Sequence, residues 1–546
     1  MASVWFRPVL LAAAVSLLLA ARPPWAGAAP LEIESDTVWQ GTVDVGGEVR
    51  VKRGATLLVQ PGSVVRFATE RTAAGEPAAR LVVNGVLVAQ GTPSQPIVFT
   101  SAAGEPRPGD WGGIAIEHAN ERTSRISHAR IEYAETGLSG NTSLLLVDNA
   151  TVRASRLGVS AGVELNGSIL DSTISGNDQG MKYFQASAFQ VEHCEITGNG
   201  AGGIACLMGS SPALRRSTVA GNGGHGISCV QGSSPLIEGN AIRGHGQGIH
   251  VELQSRPLIR NNIITENDTG VWAEKYAFPT IAANDIRRNG VGIYCNFASY
   301  PVINGNNLDD NRRFAVVVGD NMSIKVEKLI PYRAGGSALA AAPAAPEALP
   351  PQTRKFTPFA VGEEGLVDAR GNWWGAAALS EMERLGAEGN ISVIEDFHDK
   401  PEVFYFDKPF PRDRVAFSSW EPRPLTDTGP PPSRVARIAG TVRSAGVPVP
   451  GVRVHAYKDV EGGFRGQGFA HSGPTAEDGS YTLYLPAGSY HLVAKGPRPA
   501  FPNAEAGPGD LYGLCAVNPV TVGAGETGTC AIDAAPLPAP GATERK

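Results

Sequence analysis

Two glutamates of this chain, Glu252 and Glu274, stand 22 residues apart, and 22 residues is also the period of the repeat that surrounds them. If each repeat forms one coil of a solenoid, the carboxylates lie on adjacent coils about 5 Å apart, which is the separation of the two catalytic carboxyls in retaining glycosidases. Like charges this close would raise the pKa of one carboxyl, as a catalytic acid requires. Lys275 stands beside the pair, and neutralisation by this cation is the alternative to catalysis.

A set of aromatic and polar side chains surrounds these glutamates at the same spacing. Exposed aromatic rings offer flat faces to sugar rings, and carboxylates accept hydrogen bonds from sugar hydroxyls. These residues therefore predict a carbohydrate-binding face. The alternatives are a solvated face and a face covered by the C-terminal region. The predicted binding residues are His250, Trp272, Tyr276, Tyr294, Asn296 and Tyr300.

The elements that must position these side chains follow from the repeat. One polar position recurs every 22 or 23 residues, at Asn177, Asn199, Asn222, His245, Asn267, Asn289 and Asn311. A second ladder consists of Asn240, Asn262, Asn284 and Asn306. Apolar residues alternate within each unit, which indicates short strands, and the units are too short and too rich in Gly, Asn and Pro for helical repeats. The repeat predicts a right-handed parallel β-helix with coils about 4.8 Å apart, in which equivalent residues stack.

The cysteines have structural interpretations. Three of them stand two residues after an inward apolar position, namely Cys206, Cys229 and Cys295. Cys194 occupies a position of the asparagine ladder, and we expect all four to be buried and unreactive. No CxxC pair occurs, and the histidines and methionines are scattered, so we expect neither a metal site nor a cofactor. Cys515 and Cys530 lie close together and are expected to form a disulfide in an exported protein.

The composition favours an all-β protein and argues against a nucleic-acid partner. The chain has 546 residues, enough for two or three folded parts. Charged residues make up only 18%, and 66 Gly and 41 Pro indicate many turns between short strands. Lys and Arg total 47 against 53 Asp and Glu, so the basic excess typical of nucleic-acid binders is missing.

The N-terminal segment predicts export. It has a positive residue, a short apolar stretch and an Ala-Gly-Ala cleavage site, which together are typical of a secretory signal peptide. The apolar stretch is too short for a transmembrane anchor, so we expect a secreted protein without a transmembrane segment, located in the periplasm, on the outer surface or outside the cell. The predicted segments are a signal peptide (1–28), a β-helix (29–420) with a disordered insertion at about 333–355, a Pro-rich linker (421–434), a β-sandwich (435–535) and a tail (536–546).

Residues 31–410 resemble the right-handed parallel β-helix proteins of the pectate-lyase-like superfamily. The resemblance rests on the 22-residue ladder and on the segments GTPSQPIVFTS (91–101), PGDWGGI (108–114) and GNWWG (371–375). The superfamily contains polysaccharide lyases, glycosidases, metal-loading periplasmic proteins and non-enzymatic surface proteins. The resemblance therefore implies a fold and leaves the function open.

Residues 435–496 resemble the carboxypeptidase regulatory-like domain, a transthyretin-like sandwich. The resemblance rests on GTV at 440–442, PGV at 450–452, DGSY at 478–481 and PAGSY at 486–490. It implies a non-catalytic accessory domain, and this region contains no HxxE or HExxH zinc motif.

Complete catalytic sets of the superfamily are missing from the sequence. GGHGISC (223–229) is similar to the His-Gly motif of polygalacturonases, but their Asp pair is replaced by NGAGGI and no Arg-x-Lys follows, so His225 is interpreted as a turn residue. We therefore expect an exported non-catalytic β-helix protein of the cell envelope or extracellular space, which binds a polysaccharide or another cell-surface component or acts as a surface scaffold. The alternative is a polysaccharide glycosidase or lyase.

Overall fold

The computed structural model describes most of the chain. It covers residues 30–320, 365–429 and 435–537, except for 120–121, 186, 188, 406–407, 458–459, 461–463, 465–469, 487, 497–509 and 524–525. The predicted signal peptide and the predicted insertion lie outside the described residues, as do 430–434 of the linker and 538–546 of the tail. Within the described ranges, no helix is long and apolar enough to cross a membrane.

Three parallel sheets, which we number 1 to 3 in the order in which the chain enters them, form a solenoid that extends to residue 416. The chain passes through the sheets in turn, so the strands of one coil pair with those of the next. Sheets 1 and 2 have 14 strands each, and sheet 3 has 11. This topology, together with the C-terminal sheets described below, confirms the predicted all-β solenoid followed by a sandwich.

The strands are short and recur at the period of the repeat. Sheet 1 consists of Leu31–Ile33, Glu48–Val51, Arg80–Val83, Trp111–Glu117, Ala134–Asn141, Leu157–Ala161, Gln179–Tyr183, Gly202–Cys206, His225–Cys229, Gln247–Glu252, Thr269–Glu274, Val291–Cys295, Phe314–Val318 and Ile394–Glu395. Sheet 2 consists of Thr37–Trp39, Thr56–Val59, Val86–Gln90, Thr123–Ser127, Ser143–Asp148, Leu165–Leu170, Gln190–Glu192, Ala213–Arg215, Leu236–Glu238, Leu258–Arg260, Thr280–Ala282, Val302–Asn304, Leu366–Asp368 and Arg414–Ala416. Sheet 3 consists of Thr42–Val45, Val64–Phe67, Ile97–Ser101, Ala129–Glu132, Thr151–Arg153, Thr173–Ser175, Glu195–Thr197, Thr218–Ala220, Ala241–Arg243, Ile263–Thr265 and Asp285–Arg287.

Successive coils stack in register, as the repeat predicts. In sheet 1, Ile249 pairs with Val271 and Val271 pairs with Ile293, and all three side chains are completely buried. Side chains of a strand alternate between its two faces, so the residues between these positions point outward. The inward rows form one continuous core along the solenoid. The four repeat cysteines are free and lie in this core, as expected.

The asparagine ladders satisfy the buried polar groups of the turns. The side chain of Asn262 is fully buried, and its Nδ2 donates to Oδ1 of Asn284 and to the backbone oxygen of Ile237, both at 2.9 Å. Its own Oδ1 accepts from Nδ2 of Asn240 at 3.0 Å. The other ladder follows the same pattern, with His245 in place of one asparagine. A ladder residue such as Asn262 thus bonds both the coil before it and the coil after it, which is what buried polar groups require.

The last coils contain a helix that the predicted β-helix, with its insertion at about 333–355, does not include. Ala376–Leu385 form a ten-residue α-helix, and Met382 on it is buried in the solenoid core. The indole of Trp374 is buried beside it in the same core. An antiparallel hairpin of Glu402–Tyr405 and Lys408–Pro411 follows. One short helix between two coils does not recur, so the repeat carries no signal for it.

The C-terminal domain is a two-sheet β-sandwich with its own apolar core, in which Ile438, Val454 and Leu492 are fully buried. A disulfide joins Cys515 to Cys530. The strands of the domain are Val435–Ser444, Val447–Pro448, Arg453–Tyr457, Ala470–Pro474, Ser480–Pro486, Gly488–Gly496, Leu511–Leu514, Val520–Val522, Thr527–Thr529, Ile532–Asp533 and Ala535–Pro536.

The sandwich contacts the solenoid at the turns around sheet 2. Arg453 of the sandwich forms an ion pair of 3.3 Å with Asp148, the last residue of a sheet 2 strand, and each side chain is 12% exposed. Ser94, in the turn between sheets 2 and 3, donates to Glu477 of the sandwich at 2.8 Å. The described part of the linker, 421–429, also bonds to the solenoid. These contacts involve the side of the coil away from the outer face of sheet 1.

Candidate functional site

The two predicted catalytic residues and three of the six predicted binding residues lie together on the outer face of sheet 1. His250 pairs with Trp272, and Trp272 with Tyr294, so these three form one outward row over successive coils. Glu252 pairs with Glu274 in the next outward row. The strands that carry these rows are Gln247–Glu252, Thr269–Glu274 and Val291–Cys295. We call the group of these residues and Lys275 the sheet 1 patch; its members are His250, Glu252, Trp272, Glu274, Lys275 and Tyr294.

The alternation of the strand fixes which side chains reach this face. Ile249 and Val251 are completely buried in the core, so His250 between them and Glu252 after them point away from it. The next coil repeats the pattern, with Val271 inward. The rows predicted from the repeat therefore match the register of the structure.

Lys275 lies between the two glutamates. It follows directly after the strand that ends at Glu274 and has a left-handed backbone conformation, with φ of 54°. Its Nζ donates to Oε2 of Glu252 at 2.7 Å and to Oε1 of Glu274 at 2.9 Å. The glutamate side chains are only 17% and 15% exposed, whereas that of Lys275 is 44% exposed. One ammonium group therefore bridges two half-buried carboxylates on adjacent coils.

The electrostatics of Glu274 differ from the sequence-based expectation. The hydrogen bond from His250, with Nε2 3.4 Å from Oε1, and the hydrogen bond from Lys275 lower the pKa of Glu274 to about 2, although burial opposes this shift. The expectation that charge repulsion raises the pKa of one carboxyl is therefore wrong for Glu274. Two donors hold its carboxylate in the charged form, and their effect outweighs the cost of burying the charge.

The aromatic side chains of the patch pack against one another. The rings of Trp272 and Tyr294 lie 4.3 Å apart with an angle of 40° between their planes, and both side chains are half-buried. Burial raises the pKa of Tyr294 to about 12. Toward the preceding coils, the ring of His225 stacks on that of His250 at 4.6 Å. The rings are thus less exposed than the sequence predicts, and Nε1 of Trp272 is buried without a hydrogen-bond partner among the described residues.

The other predicted binding residues have separate environments. Tyr276 lies in the turn after Lys275, and its hydroxyl is buried without a hydrogen-bond partner among the residues that the structure describes. Tyr300 donates to Oδ2 of Asp413 at 2.9 Å, and Asp413 directly precedes the last strand of sheet 2, Arg414–Ala416. Asn296 is buried, at 6% exposure. The structure therefore brings six residues together in the patch and places these three around its C-terminal side.

Two residues near the patch were not predicted as part of it. A Cβ atom at Gly319 would lie 2.6 Å from the hydroxyl of Tyr294 and 2.7 Å from Oδ1 of Asn296, so a larger residue there would displace both side chains. His225 was interpreted as a turn residue, but it lies at the start of a sheet 1 strand and stacks on His250. The signal for His225 in the sequence is its register partner Gln247, which lies three residues before His250 on the next strand.

The patch contains three groups that are able to ligate a cation. One ligand atom each from His250, Glu252 and Glu274 lies within 4.8 Å of the other two. The sequence predicts no metal site, because no pair of candidate ligands stands at the spacing of a known metal-binding motif. Two of the three ligands instead share a strand and the third comes from the next coil, a combination that appears only once the coils are stacked.

Comparison with known protein families identifies the solenoid. The right handed beta helix region matches residues 135–275 and 230–345, and the pectate-lyase like beta helix domain matches residues 31–145. No curated protein matches the chain significantly.

Several solved structures are similar to parts of the chain. The catalytic unit of a thermostable GH87 alpha-1,3-glucanase from Streptomyces thermodiastaticus has 14% identity and a TM-score of 0.38, over 54% of this chain and 60% of that unit. A mutant of the periplasmic alginate epimerase AlgG has 12% identity and a TM-score of 0.39, over 54% of this chain and 74% of the epimerase. An alginate lyase from Paenibacillus has 14% identity and a TM-score of 0.25, over 45% of this chain and 88% of the lyase.

The chain thus spans less than two thirds of the glucanase unit, and similarities this weak carry no conclusion about activity. The stacked strands and the family matches agree on the fold, and we conclude that this chain contains pectate-lyase-like right-handed β-helix domains.

Proposed function

We propose that the sheet 1 patch binds carbohydrate and does not cleave it. The observation that carries this proposal is the half-buried Trp272–Tyr294 ring pair beside two carboxylates that a lysine holds in place. An aromatic pair supplies a rigid apolar contact for a sugar ring, and fixed carboxylate oxygens accept hydrogen bonds from its hydroxyls. Both parts stand on stacked strands, which orient them before a ligand arrives.

The state of the carboxylates favours binding over hydrolysis. A retaining glycosidase needs one protonated carboxyl as its acid and one ionised carboxylate as its nucleophile. The pKa of Glu274 is lowered to about 2, so this residue is not a proton donor at neutral pH. Lys275 donates to both glutamates, which suits carboxylates that accept hydrogen bonds. The close approach of Glu252 and Glu274 is still the one feature that favours the alternative, a polysaccharide-degrading enzyme.

Export and the accessory domain belong to the same proposal. The N-terminal segment 1–28 has the composition of a signal peptide. The disulfide between Cys515 and Cys530 suits an oxidising compartment. We assign the two-sheet sandwich to the carboxypeptidase regulatory-like class, as a non-catalytic module that braces the solenoid through contacts such as the Arg453–Asp148 ion pair. In this proposal the protein acts at the cell envelope or outside the cell.

The test combines retention and cleavage on the same polymers. Mature protein is passed over a panel of immobilised acidic and neutral polysaccharides, and the soluble polymers are assayed for new reducing ends. The proposal expects retention on at least one polymer and no release of reducing ends. Release that disappears in the Glu252→Gln/Glu274→Gln variant would establish the glycosidase alternative, and release that survives in it would place catalysis at another site. Neither retention nor release on any polymer would leave a scaffold without sugar affinity.

A further inference from the structure

The strongest unassigned feature of the molecule is the set of ligand atoms inside the sheet 1 patch. His250 and Glu252 leave the same strand two residues apart, and Glu274 leaves the next strand in register with Glu252. One ligand atom of each lies within 4.8 Å of the others. Because His250 is only 8% exposed and all three residues are part of hydrogen-bonded strands, their backbone positions are fixed.

The donor set has a defined chemical preference. Imidazole nitrogen and carboxylate oxygen are both ligands of divalent transition metals, and a set of three protein ligands leaves further positions for water or substrate. Calcium and magnesium prefer sites made of oxygen alone, so the imidazole favours a first-row transition cation. A second imidazole flanks the set, because the ring of His225 stacks on His250 at 4.6 Å and its buried Nδ1 has no hydrogen-bond partner among the described residues.

Lys275 marks where positive charge is stabilised. Its Nζ lies 2.7 Å from Glu252 and 2.9 Å from Glu274, so the ammonium already lies between the two carboxylates of the set. Its side chain is 44% exposed, and the ammonium group lies at the end of a flexible stem. The ammonium group is therefore able to move into solvent without a change in the strands. We propose that the cluster of His250, Glu252 and Glu274 binds a first-row divalent transition cation in exchange for the Lys275 ammonium group.

This inference goes beyond the carbohydrate proposal and does not depend on it. A cation bound here needs no sugar, and the patch can hold a sugar with Lys275 in place. The probe is therefore Zn²⁺ alone, titrated by calorimetry into the full mature chain in the absence of any saccharide. Co²⁺ titration followed by visible absorption gives a second readout, because the spectrum reports the coordination of the ion.

Three variants and a control make the test specific. We expect one strong site in the wild type and a loss of affinity of at least tenfold in His250→Gln and in Glu274→Gln, since each removes one ligand. We expect Lys275→Met to tighten binding by about tenfold, because it removes the competing cation from both carboxylates. His118→Gln removes a histidine elsewhere on the solenoid and should leave the affinity unchanged. Circular dichroism confirms that each variant is folded.

The outcomes are distinct. Tighter binding in Lys275→Met together with weaker binding in His250→Gln supports the exchange mechanism, because a purely structural role of Lys275 predicts no gain. The proposal is overturned if the wild type shows no site, if His250→Gln binds as tightly as the wild type, or if Lys275→Met binds no more tightly than the wild type. None of these results bears on sugar retention, so the two proposals fail independently.

Discussion

Nζ of Lys275 lies 2.7 Å from Oε2 of Glu252, although the two residues belong to different coils of the solenoid. The same nitrogen also donates to Glu274, the residue next to it in sequence. This contact orders two adjacent carboxylates as hydrogen-bond acceptors, and the single ammonium group balances one of their two negative charges. It also ties neighbouring coils together on the face where we place the ligand.

Removal of that cation should destabilise the solenoid. In Lys275→Met, two half-buried carboxylates face each other without their counter-ion, and we expect the free energy of unfolding to fall by about 1 kcal/mol, a modest figure because the lysine is partly exposed. Urea unfolding of the wild type and the variant measures the difference. Lys182→Met changes a half-buried lysine on an earlier coil, in the outward row that contains His250 and Trp272, and serves as the control. Equal stability of all three proteins would contradict the bridging role.

The asparagine ladder should be much more sensitive than a surface asparagine. Asn262→Ala removes two donated and two accepted hydrogen bonds from a fully buried position. We expect a loss of roughly 3 kcal/mol, because the backbone N of Asn240 and the backbone O of Ile237 on the preceding coil stay buried without these partners. Asn166→Ala at an exposed site should cost less than about 0.5 kcal/mol. Chemical unfolding of both variants checks this, and a similar loss in the two would refute the structural role of the ladder.

His245 should make the solenoid sensitive to acid. Its Nδ1 lies 3.1 Å from Oδ1 of Asn267 and must donate, while its Nε2 lies 3.2 Å from Nδ2 of Asn222 and must accept, so the ladder needs the neutral ring. Burial is the main cause that lowers the pKa of His245 in the folded protein. The unfolded chain therefore takes up a proton at a higher pH than the folded chain does. Stability from this residue is complete above the ordinary histidine pKa of about 6.5 and declines as the pH falls below it.

The matched variant for this pH effect is His245→Asn, which restores the residue type of the other ladder positions. Thermal unfolding between pH 8 and pH 5 should show a smaller loss of Tm on acidification in the variant than in the wild type. Parallel pH profiles for the two proteins would show that His245 does not cause the acid sensitivity.

The Arg453–Asp148 ion pair should couple the sandwich to the solenoid. Both side chains are 12% exposed, so solvent screens their attraction less than at an open surface. A double-mutant cycle with Arg453→Gln and Asp148→Asn should give a coupling energy of about 1 kcal/mol. The exposed Arg66–Asp44 pair within the solenoid is the control, with a coupling below about 0.5 kcal/mol. A coupling no larger than that of the control would mean that the ion pair does not fix the sandwich.

The sequence predicts what the repeat determines. The period places Asn240 against Asn262 and His250 against Trp272, because stacked coils convert a spacing of 22 or 23 residues into a direct neighbour. The inward and outward rows follow from the alternation of each strand, so the composition of the patch was predictable. The protonation state of Glu274 was harder to predict from the sequence, because it depends on where the flexible side chain of Lys275 places its ammonium group.

Features that do not recur leave no repeat signal in the sequence and were not predicted. The helix Ala376–Leu385 appears once, between two late coils, where the pattern of strands predicts another turn. The contact between Arg453 and Asp148 joins residues 305 positions apart, and neither stands in a motif that indicates a partner. Gly319 is required by the close approach of Tyr294, and only the folded arrangement reveals that approach.

The central claim is that the sheet 1 patch binds carbohydrate. Affinity electrophoresis of the protein in a gel that contains a polysaccharide on which it is retained tests this claim most directly. The account predicts that Trp272→Ala loses at least tenfold in affinity, since the variant removes the main ring of the aromatic pair. It also predicts that Tyr133→Ala, which removes a half-buried aromatic side chain on an earlier coil, binds like the wild type. Undiminished binding by Trp272→Ala, with both variants folded, would contradict the account and place the carbohydrate site elsewhere on the molecule.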